Sequence, residues 1–253
     1  MAIFQDDAFV GYRVIITGSS RGIGYQTARE LNRLGADIVV HGTAISDDLD
    51  FSDGTGKVHR LSGDFSKTGT AKQVIADGIE ALGGLDCLIN NAGTMMGRNP
   101  IADMTSELYQ KIHDLNASSL VETCVTAIPA LRESAHASII NTTSISARTG
   151  GSPGSSIYSS AKAFVSTFTR SIAKELAPDG IRANAVSPGT IMTDFHRRYS
   201  TPEKLEASAK AIPLGRLGTS EDCAATYLFL AHAQLSGYIT GQVIEVNGGS
   251  LMP

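Results

Sequence analysis

The chain has 253 residues, 42% of them hydrophobic and 18% charged, with a formal net charge of −4. That leaves ample apolar material for a core, and the scattered acids and bases exclude the basic footprint of a nucleic-acid binder or a polybasic membrane anchor. No apolar run reaches the roughly 20 residues a bilayer span needs and MAIFQDDAFVGYR lacks the plan of a secretion signal, so a cytoplasmic protein is expected.

Short β-branched runs alternate with longer helical patterns along the chain. YRVIIT (12–17) reads as a strand between Gly11 and Gly18, and IGYQTARELNRLG as a helix with Ile23, Ala28, Leu31 and Leu34 near a 3.6 period and Gly35 as its stop. DIVVH (37–41) is a second strand, and KVHRLSGD holds a third. Between them, GTAISDDLDFSDGTG is acidic and turn-rich, and predicts a short or irregular connection where a crossover helix would otherwise stand. A helix over about 67–82 leads to LDCLIN, the fourth strand, and a long helical stretch runs from Thr105 to near Leu131. ASIINTTS (137–144), the helix 156–177, the strand IRANAVSP, a helix near 219–232 and the strand QVIEVNG complete the pattern. Residues 189–213 lack a strong period, contain Pro202 and Pro213, and are expected to form a substrate lid. Cys87, Cys124 and Cys223 are odd in number, widely spaced and set in apolar contexts, as buried thiols are.

Seven strands separated mostly by helices predict a single α/β domain over 1–253, with a Rossmann-like doubly wound parallel sheet and helices on both faces. The near-continuous apolar runs VIIT, IVV, CLIN and SIIN suit strands covered on both sides.

Directly after the first strand comes Thr17-Gly18-Ser19-Ser20-Arg21-Gly22-Ile23-Gly24. Glycines there let the backbone turn sharply and approach a pyrophosphate, while the following helix aims its first amides at the phosphates. The spacing is G-x-x-x-G-x-G, so the strand-turn-helix setting carries the argument more than the motif does. Beyond the second strand the sequence reads His41-Gly42-Thr43-Ala44, with no acid before Asp47. A carboxylate at that point would accept the ribose hydroxyls of NAD(H) and repel a 2′-phosphate. Its absence, together with Arg21 as a cationic partner and hydrogen bonds from His41 and Thr43, favours NADP(H) over NAD(H).

Tyr158 and Lys162 stand four residues apart on a predicted helix and so share one face. An ammonium beside a phenol, whose unperturbed pKa is about 10, favours the phenolate and lowers that value. Ser144 falls just past the fifth strand, at the carboxyl edge where such sheets bind ligands. Asn116 lies mid-helix in HDLNASSL, where a polar residue is out of place. Taken singly, each of these has an ordinary structural explanation; together they do not.

The set resembles the short-chain dehydrogenase/reductase family over nearly the whole chain, 3-oxoacyl-carrier-protein reductases included. Thr17–Gly24 looks like the family's TGxxxGxG loop, and Asp64, followed by Phe65, like the acid that contacts adenine. Asn90-Asn91-Ala92-Gly93 looks like its NNAG element. Asn116, Ser144, Tyr158 and Lys162 match its four catalytic residues. Ser187-Pro188-Gly189-Thr190-Ile191-Met192-Thr193 resembles the segment near the nicotinamide, with Ile191 and Thr193 at its carboxamide. The resemblance implies hydride transfer between the cofactor and a carbonyl/alcohol pair, with Tyr158 as general acid/base, Lys162 on the ribose hydroxyls, Ser144 on the carbonyl and Asn116 holding a relay water. It also implies a homotetramer.

Candidate pocket residues are Met95, Met96, Arg98, Ser146, Arg148, Met192, His196 and Tyr199, with Arg148, Arg197 or Arg198 to meet an anionic substrate. A small ketone, a sugar or polyol, and a 3-oxoacyl thioester all remain open, the last with Arg132 and Lys174 docking an acidic carrier. A different class, an NADP-binding protein for sensing or assembly with little turnover, would be expected to show a broken catalytic set.

Overall fold

The computed structural model describes residues 5–253, apart from the side chains of His196 and Arg197. Seven strands form one sheet: β1 (Arg13–Ile16), β2 (Asp37–Gly42), β3 (Val58–Ser62), β4 (Cys87–Asn90), β5 (Ser138–Thr142), β6 (Arg182–Pro188) and β7 (Val243–Val246). Their order is β3-β2-β1-β4-β5-β6-β7, and every neighbouring pair is parallel. The winding reverses between β1 and β4, the point at which a doubly wound sheet opens a crevice above its strand ends.

The helices are α1 (Gly22–Arg33), α2 (Thr70–Leu82), α3 (Ser106–His113), α4 (Ser119–Leu131), α5 (Ser146–Thr149), α6 (Ser156–Leu176), α7 (Asp194–Tyr199), α8 (Pro202–Ala211), α9 (Ser220–Ala231) and α10 (Ala233–Ser236). Strand alternation divides the core. Val14, Ile16, Ile38, Val40, Ile89, Ile140 and Val186 face a layer made by α1 and α9, through Ala28, Leu31, Cys223, Tyr227 and Leu228. Ile15, Val39, Leu88, Ile139 and Ala183 face the opposite layer, through Ile75 of α2, Cys124 and Ala127 of α4, and Val165 and Ala173 of α6. All three cysteines are buried free thiols, and burial pushes each up to about 12.

The connection between β2 and β3 contains no helix, as its density of Asp and Gly predicts. Ile45, Leu49 and Phe51 pack from it onto the core, and the Tyr25 hydroxyl donates to Asp50 O at 2.9 Å. The segment 189–213, which shows no period, nonetheless carries α7 and α8. Pro202 starts α8 instead of breaking it: it occupies the first turn behind Thr201, whose side chain caps the Lys204 amide. A six-residue α7 is too short to show a period, and α8 buries none of its residues. No helix among the described residues is long and apolar enough to cross a membrane.

Candidate active site

Most residues expected of a ligand site gather along one cleft of about 550 Å³ above the carboxyl ends of the strands. At its β1 end the glycine loop is held from behind. Thr17 Oγ1 accepts the Asn91 and Ala92 amides at 3.0 and 3.1 Å, and Asn91 Nδ2 donates to Thr17 O and Gly18 O at 3.1 and 2.9 Å. Gly18 has φ +63°, and a Cβ there would come within 2.8 Å of the Ala92 backbone, so only glycine lets the two loops meet. Gly18, Ser20, Arg21, Gly22 and Ile23 line the cleft, while Gly24 sits behind them against Gly18 O and Asn91.

Opposite, Gly42, Thr43, Gly63 and Phe65 form the wall. His41 is committed to the scaffold: its Nδ1 accepts the Gly18 amide at 3.2 Å, so its Nε2–H donates to Gly63 O at 3.0 Å. Burial pulls its pKa down to about 4, and the ring stacks on Phe65 with centroids 4.0 Å apart. The imidazole is therefore neutral and has no hydrogen bond left for a phosphate, contrary to the expectation that it adds one. Arg21 is exposed and in extended conformation at the start of α1, and Thr43 is exposed across from it. Asp64 stands beside the cleft lining, with its Oδ1 accepting from the Ser66 amide and hydroxyl at 3.0 and 2.7 Å. The wall position that reasoning from motifs overlooked is Gly63, at the end of β3, where no chemical group signals it.

The four catalytic candidates converge at the middle. A π turn, Asp114–Ser118, interrupts what would be one helix from α3 to α4, and Asn116 sits in it. Such bulges often mark functional positions. Asn116 Nδ2 donates to Ile112 O and Thr94 O at 2.8 and 2.9 Å, while its buried Oδ1 has no partner. Beside it, Gly93 approaches so closely that a Cβ would lie 2.6 Å from that Oδ1 and 3.0 Å from Lys162 Nζ. A cavity of about 10 Å³ opens there, lined by Thr17, Ala92, Asn116, Thr142 and Lys162 among others, about the size of one water molecule's probe sphere.

Lys162 is buried on α6, and its Nζ donates to Thr142 O at 2.9 Å. Desolvation brings its pKa down to about 8. Its ammonium stands 5.7 Å from the Tyr158 ring centroid. The phenol runs against expectation: burial pushes Tyr158 up to about 12, against a smaller downward pull from its hydrogen bond with Ser144. Desolvation of the phenolate prevails, and Lys162 is itself desolvated and donates to the Thr142 carbonyl. Ser144 is steadied in turn, its Oγ accepting from the Ser146 amide and hydroxyl at 3.2 and 3.0 Å.

Pro188, Gly189, Ile191 and Thr193 line the far wall, and α7 closes over the substrate end. Phe195 lies 5.9 Å from the Tyr158 ring. Tyr199 latches α7 down, through its hydroxyl with Thr94 Oγ1 at 3.1 Å and its carbonyl, which accepts from Arg98 Nε at 2.9 Å. Of the pocket candidates, Met95, Arg98, Ser146 and Tyr199 line the cleft, with Arg198. Met96, Arg148 and Met192 do not; Arg148 is exposed on the last turn of α5 and Met192 is 40% exposed. The side chains of His196 and Arg197 lie outside the described residues. Thr94 and Phe195 were not foreseen: neither carries a chemical group that distinguishes it in sequence.

Comparison with known proteins is consistent with this geometry. Residues 18–250 match a family model described as enoyl-(acyl carrier protein) reductase. The 3-oxoacyl-(acyl-carrier-protein) reductase FabG of Chlamydia pneumoniae is 38% identical, covering 97% of this chain and 99% of that protein. The L-rhamnose 1-dehydrogenase (NAD(P)(+)) of Azotobacter vinelandii is 36% identical over 93% of this chain and 95% of its own. Among solved structures, the NADH-dependent reductase A1-R′ complexed with NAD superposes with a TM-score of 0.87 at 35% identity, covering 98% of this chain and 100% of that one.

Proposed function

The chain belongs to the short-chain dehydrogenase/reductase family, and from that premise we propose that it transfers a hydride between NADP(H) and a compact carbonyl/alcohol substrate with Tyr158 as general acid/base. The observation that carries the reading is the hydrogen bond between Ser144 and Tyr158 beside a buried Lys162, at the inner end of a glycine-floored cleft. The cleft fits a dinucleotide: Gly18 lets the β1 and β4 loops close up behind it, and Gly18, Gly22, Gly93 and Lys162 line it.

Ser20, Arg21, Gly22 and Ile23 would hold the phosphates, with Gly24 keeping the loop close; Gly42, Thr43, Asp64, Phe65, Asn91 and Ala92 would flank the adenosine. Gly93, Lys162, Pro188, Gly189, Ile191 and Thr193 would hold the nicotinamide end. Bound there, the cofactor supplies or accepts the hydride. Ser144 Oγ holds the carbonyl oxygen, and Tyr158 passes its phenolic proton to that oxygen in reduction and takes it back in oxidation. Asn116 Oδ1 and Lys162 Nζ face a one-water cavity through which the tyrosine is reprotonated. The latched α7 acts as the lid over this exchange.

The preference for NADP(H) rests on Arg21, exposed at the mouth with no acid at the end of β2. Arg21→Ala weakens NADPH binding about tenfold or more, the worth of a charge-assisted contact, and leaves NADH binding nearly unchanged. Nicotinamide fluorescence titration reads both; equal losses for the two cofactors would remove Arg21 from the phosphate. Docking of an acidic carrier has less support, since Arg132 is already paired with Asp179 at 2.9 Å. A homotetramer is supported by Val125 on α4 and Phe164 on α6, left 65% and 40% exposed.

A further inference from the structure

Apart from Lys162, already assigned to the reaction, the cations that line the cleft among the described residues are Arg21 at one end and Arg98 and Arg198 at the other. Among the described residues that line the cleft the one carboxylate is Asp194, which has an interaction of its own. Arg98 spends Nε on Tyr199 O and points Nη1 toward Pro153 O at 3.4 Å, which leaves Nη2 uncommitted. Arg198 is exposed, and among the described residues no carboxylate pairs with it. Lys204, on the first turn of α8, is close enough to Arg98 for that charge to help hold its pKa down. Arg98 and Arg198 thus line the substrate end, with Lys204 near Arg98, and among the described residues none of the three has a carboxylate partner, in a protein whose net charge is −4.

Position relative to the chemistry sharpens the point. Arg198 follows Phe195 by three residues on α7 and so lies on the same helix face, on the order of 5 Å further along. Phe195 itself stands 5.9 Å from Tyr158. Set one helical turn beyond the ring that faces the proton donor, the guanidinium fork on its flexible stem suits a carboxylate carried on the same short chain as the reacting carbonyl. The cleft lining is mixed, with Ser146, Ser152 and Thr190 as well as Met95 and Phe195.

We propose that the substrate is a short oxo acid whose carboxylate is held by Arg198, with Arg98 and Lys204 adding positive field at the mouth. The inference rests on the reductase reading above and names the class of substrate for that site.

The test compares 4-oxopentanoate with its methyl ester as substrates for NADPH oxidation, in the wild type, Arg198→Gln and Arg198→Glu. The expected result is a kcat/KM ratio of acid to ester of about ten or more in the wild type, near one in Arg198→Gln and below one in Arg198→Glu, with the wild-type ratio falling as salt rises. Succinate should compete with the acid more tightly than inorganic phosphate does. A wild-type ratio near one, a ratio unmoved by either substitution, or tighter competition by phosphate would overturn the proposal. Failure of the reductase reading has a separate signature, no cofactor oxidation with either ketone. In that event calorimetry of succinate into the NADPH-loaded protein still decides: binding lost in Arg198→Gln sustains the carboxylate site, and binding absent or unaltered overturns it.

Discussion

Burial acts on Tyr158 and Lys162 in opposite directions, raising the phenol to about 12 and lowering the amine to about 8. Because each shift disfavours the charged form, the phenol stays protonated across the working range, while the lysine discharges as pH rises through about 8. Reduction needs the phenolic proton and the ammonium together. The rate, read as kcat/KM for the cofactor, is therefore expected to be level below pH 8 and to fall above it; a profile rising through pH 8 to 9 would contradict this assignment. The same scale shows what the sequence conveys. Tyr158, Lys162, Ser144 and Asn116 could be singled out only as a set, since each alone has an ordinary explanation. The commitment of His41 to Gly18 and Gly63 was not, since an imidazole at a strand end reads the same whether it faces a ligand or a backbone. Nor was the exposure of Arg148, which depends on how α5 turns.

At the scale of elements, the catalytic edge is positioned by contacts far from it. Asp86 enters β4 almost fully buried, its side chain 5% exposed, and accepts from Arg13 N and Nε, Arg13 Nη2 and Ser134 Oγ. Burial alone would push its pKa up, but these donors together hold it below the ordinary 3.8. Its contribution is thus present above the unfolded-state value and is lost as pH falls through the lower folded one. Asp86→Ala leaves Arg13 without its carboxylate and is expected to cost about 2–3 kcal/mol, measured by urea unfolding at pH 7, with the difference from wild type shrinking below pH 4. A loss under about 0.5 kcal/mol would mean the β1–β4 junction is held by other contacts. Elements with a long apolar period were legible, from α1 to α9. The π turn at Asp114–Ser118 was visible only as an asparagine in an unexpected place, because one extra residue per turn leaves composition unchanged. The helices α7 and α8 were missed because neither presents an apolar face long enough to register.

For the whole molecule, alternation of strand and helix led to a seven-stranded parallel sheet, and the order its strands take puts the cleft where the winding reverses. The glycine loop, the π turn, the residue after β5 and the start of α6 are far apart in the chain and meet only there. Their common function is therefore a property of the fold, while the substrate depends on the segments around 94–99, 146–155 and 194–199, whose local pattern is weak. The central claim is that Tyr158 moves the proton while the rest of the cleft binds the cofactor. Its most direct measurement is cofactor oxidation at 340 nm with a carbonyl substrate, in the wild type and in Tyr158→Phe, alongside NADPH affinity for each. The account predicts turnover reduced by about a hundredfold or more with NADPH affinity within a few-fold; near-wild-type turnover in Tyr158→Phe would contradict it.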